Sequence, residues 1–327
     1  MLKDFKSLHP ATKTNLFLGN GFSIGIYDKF AYSSLLDIAQ DQGYMTSTEL
    51  RLFKKLNTVN FELVLSKLSI ASTVNNILNL DYQTPKEKYD LIRDALIKCV
   101  NYVHPQFSEL DDSWLNTVST EFSKYHEIYT TNYDLILYWI MSCNEFRKFT
   151  DYFWSQDLTF DQFNTELWNN HIPVHYLHGA LFIFVDYFKV KKVKKTNLSS
   201  LLGSIDKQLR KNEVPLFISE GTAKQKKQTI YKDPYLTFVY NCYLNMKKGL
   251  TIYGFSFSDC DSHIISGINN NKKLKHIAVS IYTAGKTRED LKDEVAEIKF
   301  KLKPFRSRED TTLEFFKYNT SPFYYKE

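Results

Sequence analysis

Residues 15–26 read Asn-Leu-Phe-Leu-Gly-Asn-Gly-Phe-Ser-Ile-Gly-Ile, an apolar run that stops at Gly19, Gly21 and Gly25. Glycines in a strand-to-helix turn let backbone N–H groups approach a phosphate that a Cβ would block. The same glycines also serve purely structural turns, and the Gly-x-Gly-x-x-x-Gly spacing is one residue longer than the dinucleotide fingerprint. Three more polar groups follow apolar runs: Thr-Thr-Asn-Tyr-Asp at 130–134, Leu-His-Gly at 177–179 and Tyr-Gly-Phe-Ser-Phe-Ser-Asp at 253–259. An amide such as Asn132 can orient a hydroxyl, and an imidazole such as His178 titrates close to neutrality and can take a proton. Each has a structural use as well. Asn132 and Asp134 can cap the helix beginning near Leu135. His178 can be a packed core residue, and Ser256, Ser258, Asp259 and Asp261 can cap a helix starting near Ser262.

The elements that must position these groups alternate. Strands are expected at 14–18, 127–130, 173–177, 181–185, 215–218, 249–253 and 277–282, and helices at 32–40, 135–141, 234–247 and 262–270. Such alternation implies an α/β fold, a Rossmann-like, mostly parallel sheet with helices on both faces. Ligands bind such sheets outside the carboxyl ends of the strands, where all four polar motifs fall. Residues 43–122 break the pattern: apolar residues recur at helical spacing through 50–56, 61–80, 86–103 and 114–122, with Pro85 near one helix start and Pro105 at an end. The expectation is one domain over 1–327 with an inserted helical subdomain at 43–122, folded over the cleft as a cap. Within it, Asn60-Phe61-Glu62 reads as an N-cap and an acidic first turn with no obligatory role in chemistry.

Lys and Arg number 42 against 37 Asp and Glu, a net charge of +5, too mild a basicity to indicate nucleic-acid binding. The lysines at 189–195 and Lys224, Lys226 and Lys227 read as solvated loops, with a basic rim for an anion as the alternative. Cys99, Cys143, Cys242 and Cys260 are scattered without a Cys-x-x-Cys pair, so neither a structural zinc site nor a disulfide framework is expected. No stretch has the length and apolarity of a membrane span, and residues 3–6 carry charge rather than a signal core. A cytoplasmic protein is expected.

The motifs in this order resemble the sirtuin-like NAD-binding superfamily, and more narrowly a zinc-free bacterial sirtuin-like family catalogued as a domain of unknown function. The pattern extends through Phe30-Ala31-Tyr32-Ser33, Asn60-Phe61-Glu62, Tyr176-Leu177-His178-Gly179-Ala180-Leu181, Ser219-Glu220-Gly221-Thr222 and Val279-Ser280-Ile281-Tyr282, nearly the whole chain. The resemblance implies that Gly19, Asn20, Gly21 and Ser23 cradle the NAD pyrophosphate. It places Asn132 at the nicotinamide ribose or the attacking water, Asp134 near the nicotinamide amide, and His178 as the catalytic histidine. Gly254 and Ser256 match the segment near the adenine-side ribose and phosphates, and Thr131, standing where sirtuins have Gln, joins the cofactor-binding set. The four-cysteine zinc ribbon and the arginine after the glycine loop are missing, so no metal is expected.

Without the zinc module a deacylase loses its peptide groove, and what survives is the machinery that breaks the nicotinamide–ribose bond. The implied activity is NAD glycohydrolysis to ADP-ribose and nicotinamide, as an effector of abortive infection in bacterial anti-phage defence. Regulation would then rest on homo-oligomerisation or on a separate sensor or ATPase protein. The alternatives are an NAD-dependent protein deacylase or ADP-ribosyltransferase, and a non-catalytic NAD or ADP-ribose sensor. The acidic marker for a ribose 2′-OH would fall near Asp37 or Asp41, on the first helix, and is uninformative about NADP.

Overall fold

The computed structural model describes residues 2–143, 148–155, 157–163, 169–186, 189–193, 201–211, 213–218 and 222–326. Ser219, Glu220 and Gly221 of the motif set, and Lys194 and Lys195 of the lysine run, lie outside them. The first strand, β1 (Asn15–Leu18), is buried at every position, as a strand covered on both faces must be. It feeds the short α1 (Asn20–Ile24) at Gly19.

Five helices follow: α2 (Tyr32–Asp41), α3 (Ser47–Lys55), α4 (Phe61–Ile77), α5 (Gln83–Val103) and α6 (Asp112–Phe122). Their starts are written in the sequence. Thr46 and Glu49 form a capping box for α3, Asn60 Oδ1 accepts the Leu63 N–H at 3.2 Å for α4, and Asp111 caps α6. The α/β pattern then resumes with β2 (Glu127–Thr130), α7 (Ile136–Ser142), β3 (Phe149–Thr150) and β4 (Ile172–Tyr176). Next come β5 (Gly179–Asp186), β6 (Lys189–Lys192), α8 (Leu201–Arg210), β7 (Pro215–Phe217), α9 (Ala223–Ile230) and α10 (Pro234–Asn245). The chain closes with β8 (Lys248–Tyr253), α11 (Ser262–Asn270), β9 (Leu274–Ile281), α12 (Arg288–Lys301), α13 (Lys303–Arg306) and β10 (Thr312–Lys317).

Seven strands make a parallel sheet in the order β10-β9-β8-β1-β2-β4-β3, with helices on both faces, the expected α/β class. β1 lies at the centre, Leu16 opposite Ile128 on one side and Thr251 on the other. The expected strands at 181–185 and 215–218 exist but belong elsewhere: β5 pairs antiparallel with β6 and β7 in a separate three-stranded sheet. That sheet starts at Gly179, whose φ of +77° turns the chain away from the end of β4.

Large aromatics fill the core: Phe17, Phe22, Tyr129, Trp139, Tyr176, Tyr243 and Tyr253 are almost wholly enclosed. Two of their hydroxyls donate to backbone, Tyr243 to the Ile264 carbonyl at 2.8 Å and Tyr253 to the Tyr318 carbonyl at 3.2 Å, and Tyr129 donates to the Glu127 carboxylate. The helical periodicity at 61–80 ends three residues early, at Ile77, and Ile70, Val74, Ile77 and Leu78 stand exposed. No described helix is long and apolar enough to cross a membrane.

Candidate functional site

A cavity of about 690 Å³ opens over the carboxyl ends of five parallel strands. Asn20 and Gly21 reach it from the end of β1, Thr131, Asn132 and Asp134 from β2, and His178 from β4. Gly254 and Ser256 reach it from β8, and Ser280 and Tyr282 from β9. Five adjacent strands at about 4.8 Å spacing span roughly 19 Å, the scale of an extended dinucleotide. Asn60, Glu62, Leu96 and Val100 of the helical segment line the same cavity, together with Tyr32 and Leu35 of α2. A second hollow of about 730 Å³ along α10, at Thr237, Asn241 and Asn245, holds none of the expected site residues.

Asn132 is the most constrained member. Its Nδ2 donates to the Gly19 carbonyl at 3.1 Å and to Ser23 Oγ at 2.8 Å. Turning the amide over would set Oδ1 against that carbonyl oxygen, so its orientation is fixed. Oδ1 is left buried without a partner, one of several side-chain polar atoms so placed among the described residues. Ser23, expected at a pyrophosphate, is fully buried behind Asn132 and hydrogen-bonds Asp134 as well. Asp134 caps the Ile136 N–H at 2.9 Å. Burial pushes its carboxyl above the usual range, against the Ser23 and Ile136 bonds. Gly19, Ser23 and Asp134 thus set the Asn132 amide in place.

The glycine turn has the structural use that its sequence allowed beside phosphate binding. A Cβ at Gly19 would meet the Gly254 oxygen at 2.5 Å, and one at Gly21 would meet it at 2.8 Å. The Gly21 N–H donates to that same oxygen at 2.7 Å, and the Gly19 N–H to Tyr253 O at 2.9 Å. The glycines let the β1 and β8 turns press together, and their N–H groups are engaged there rather than held out to a phosphate. Gly254, at φ +68°, answers from the other side.

His178 lies in a buried polar cluster. Its Nε2 is 2.9 Å from His263 Nε2 and 4.0 Å from Asp261 Oδ1. Asp261 Oδ1 takes the Lys226 ammonium at 2.8 Å, and Lys226 also binds Glu62 Oε2 at 2.9 Å. Glu62 Oε1 accepts the Tyr133 hydroxyl at 2.8 Å and the Tyr32 hydroxyl at 3.1 Å. Burial, then the nearby ammonium, hold the His178 imidazole well below its ordinary pKa, although Glu62 opposes this. It is therefore neutral near pH 7. Burial alone would lower the Lys226 pKa, but the Glu62 and Asp261 carboxylates reverse that and raise it.

One sequence expectation fails here and another is extended. Lys226 is not a solvated loop lysine but a wholly buried one on α9. Glu62, read as a helix-start residue only, is the acceptor on which two tyrosines and that lysine converge. Asp261 precedes α11 as expected but makes no capping bond with its side chain, its carboxylate being turned to Lys226. The local signals were Asn60-Phe61-Glu62, the cluster of Lys224, Lys226 and Lys227, and the acidic cluster at 259–261; nothing local marked the burial of Lys226, and nothing marked His263.

His178, Asp261 and His263 are the one described set whose ligand atoms gather closely enough for a metal ion. The two imidazoles meet head-on, their ring centroids 5.1 Å apart across the 2.9 Å contact. That geometry suits a shared proton, and Lys226 already supplies the positive charge on Asp261. The cavity is acidic. Asp28, Glu62, Asp134, Asp261 and Glu294 line it, with no Lys or Arg among its described lining residues.

A family model described as a domain of unknown function, DUF4917, matches residues 16–323. The chain belongs to that family. Every cavity residue named above falls inside the DUF4917 match. No curated protein matches the chain.

Proposed function

We propose that the protein hydrolyses the nicotinamide–ribose bond of NAD, as a sirtuin-like NAD glycohydrolase. The observation that carries the reading is the Asn132 amide, locked by Gly19 and Ser23 with Oδ1 unpaired in a cavity that also holds a neutral, buried His178. Nicotinamide leaves a pyridinium as a neutral molecule, so its departure needs no acid; positive charge gathers on the ribose instead. Asn132 Oδ1 accepts a ribose hydroxyl or orients water, and His178 takes the proton as water attacks the anomeric carbon. The carboxylates around that end favour the cationic transition state. The pyrophosphate would be met by hydroxyls such as Ser256, Ser258 and Ser280 and by backbone, since lysine and arginine are lacking among the described lining residues.

A bacterial anti-phage role by abortive infection, regulated through self-association or a separate partner protein, goes with this reading. Incubating the pure protein with NAD and following nicotinamide tests it. Release without an acceptor is the expected result. Release only with an acyl-peptide or ADP-ribose acceptor would make it a transferase or deacylase, and binding without release a sensor.

A further inference from the structure

Lys226 does not line the cavity, yet it is wholly buried between two carboxylates that do. An ammonium enclosed in this way is tolerated only when it is paired. Its partners come from distant parts of the chain: Glu62 from the first turn of α4, and Asp261 from the turn before α11. The neighbouring Gln225 makes a second tie between the same helices, its Nε2 donating to Ser69 Oγ of α4 at 2.6 Å. Glu62, Ser66 and Ser69 share one face of α4 at helical spacing. Beyond Ser69 the outer surface of α4 stands exposed, as Ile70, Val74 and Ile77 show.

We propose that Lys226 is a positioning residue of this site, clamping the first turn of α4 to Asp261 and thereby holding that carboxylate beside His178. The inference rests on the hydrolase reading above. Lys226 works at one remove: Tyr32, Tyr133 and Glu62 are set against the cavity by one end of the clamp, Asp261 by the other. Loss of the ammonium leaves two like charges facing each other, and each is free to turn away from its place.

The test uses the full chain with Lys226→Met. In the folded variant, kcat for nicotinamide release is expected to fall about tenfold or more, with KM for NAD within about twofold, because Lys226 touches no ligand. An unchanged kcat overturns the proposal. Amide exchange gives a reading independent of activity: residues 61–69 should exchange faster in the variant than in wild type, while β1 and β8 stay protected. Equal exchange at 61–69 also overturns it. Should the single variant not fold, Lys226→Met combined with Glu62→Gln leaves one carboxylate and is compared with Glu62→Gln alone: a further fall in kcat and faster exchange at 61–69 support the clamp, and no difference between the two overturns it. A wild-type protein that binds NAD without cleaving it would end the hydrolase reading, and the exchange comparison would still decide the clamp.

Discussion

A Cβ at Gly21 would stand 2.8 Å from the Gly254 oxygen and 2.9 Å from its Cα, both backbone atoms with little room to move. Gly21→Ala is therefore expected to destabilise the protein by roughly 1–3 kcal/mol, the cost of overpacking, and Gly21→Val by more. Thermal melts check this, and an unchanged midpoint for the valine variant would show that the turns are not pressed together. At Asn132 and His178 the expectation is opposite in kind. Alanine at either should leave a folded protein and reduce nicotinamide release by at least about a hundredfold; wild-type rates in both would remove the site assignment. Their place at the cavity was legible because each stands two residues past the end of a strand, a local pattern. The Glu62–Lys226 contact joins residues 164 apart, and charge pairing over that distance leaves no trace in spacing. Glycine, too, records only that a Cβ is unwelcome, not whether a ligand or another backbone excludes it.

Between elements, His104 shows a side chain acting as a joint. It ends α5, donates to the Pro105 carbonyl through Nδ1 at 2.8 Å, and accepts the Leu135 N–H at 2.7 Å through Nε2. Only a neutral ring can do both. Burial lowers its pKa to about 4, despite the Pro105 bond, from an ordinary value of 6.5. As pH falls the unfolded chain takes up this proton first. The stabilisation is complete above about pH 6.5 and drains away toward about pH 4, by about 3 kcal/mol in all. Urea midpoints should drop between pH 7 and 4.5, and His104→Gln, which can accept the Leu135 N–H without titrating, should drop less. Equal losses in the two proteins would exclude His104 as the source. The elements themselves were legible wherever apolar residues kept a period, as in β1, α2, α7 and β8. They were not legible past residue 282: only Ile298 of α12 is buried, and Thr-Leu-Glu-Phe-Phe-Lys in β10 does not alternate.

Across the whole molecule, that unread final stretch is part of the core. Phe316 and Phe323 are fully buried, and Tyr318 stacks on Tyr253 at 4.3 Å. The Tyr318 hydroxyl donates to the Gly21 carbonyl at 2.8 Å, and the residue lines the cavity. Phe5 packs on Phe316 and Phe323, both 5.5 Å away, so the two ends of the chain meet. Removing residues 312–327 is expected to abolish cooperative unfolding rather than trim a tail; a native-like melt in circular dichroism would refute this.

The central place of β1 also bears on how the chain assembles. Asn15 must wait for Glu127 on one side and Leu250 on the other, and parallel pairings at such separations form slowly because long loops must close first. A nascent chain leaves the ribosome N-terminus first, so β1 emerges long before β8 exists, its Leu-Phe-Leu run without its second neighbour. Refolding from denaturant should accordingly be slow and prone to aggregation, and expression should benefit from low temperature and chaperones more than the content of local helix would suggest.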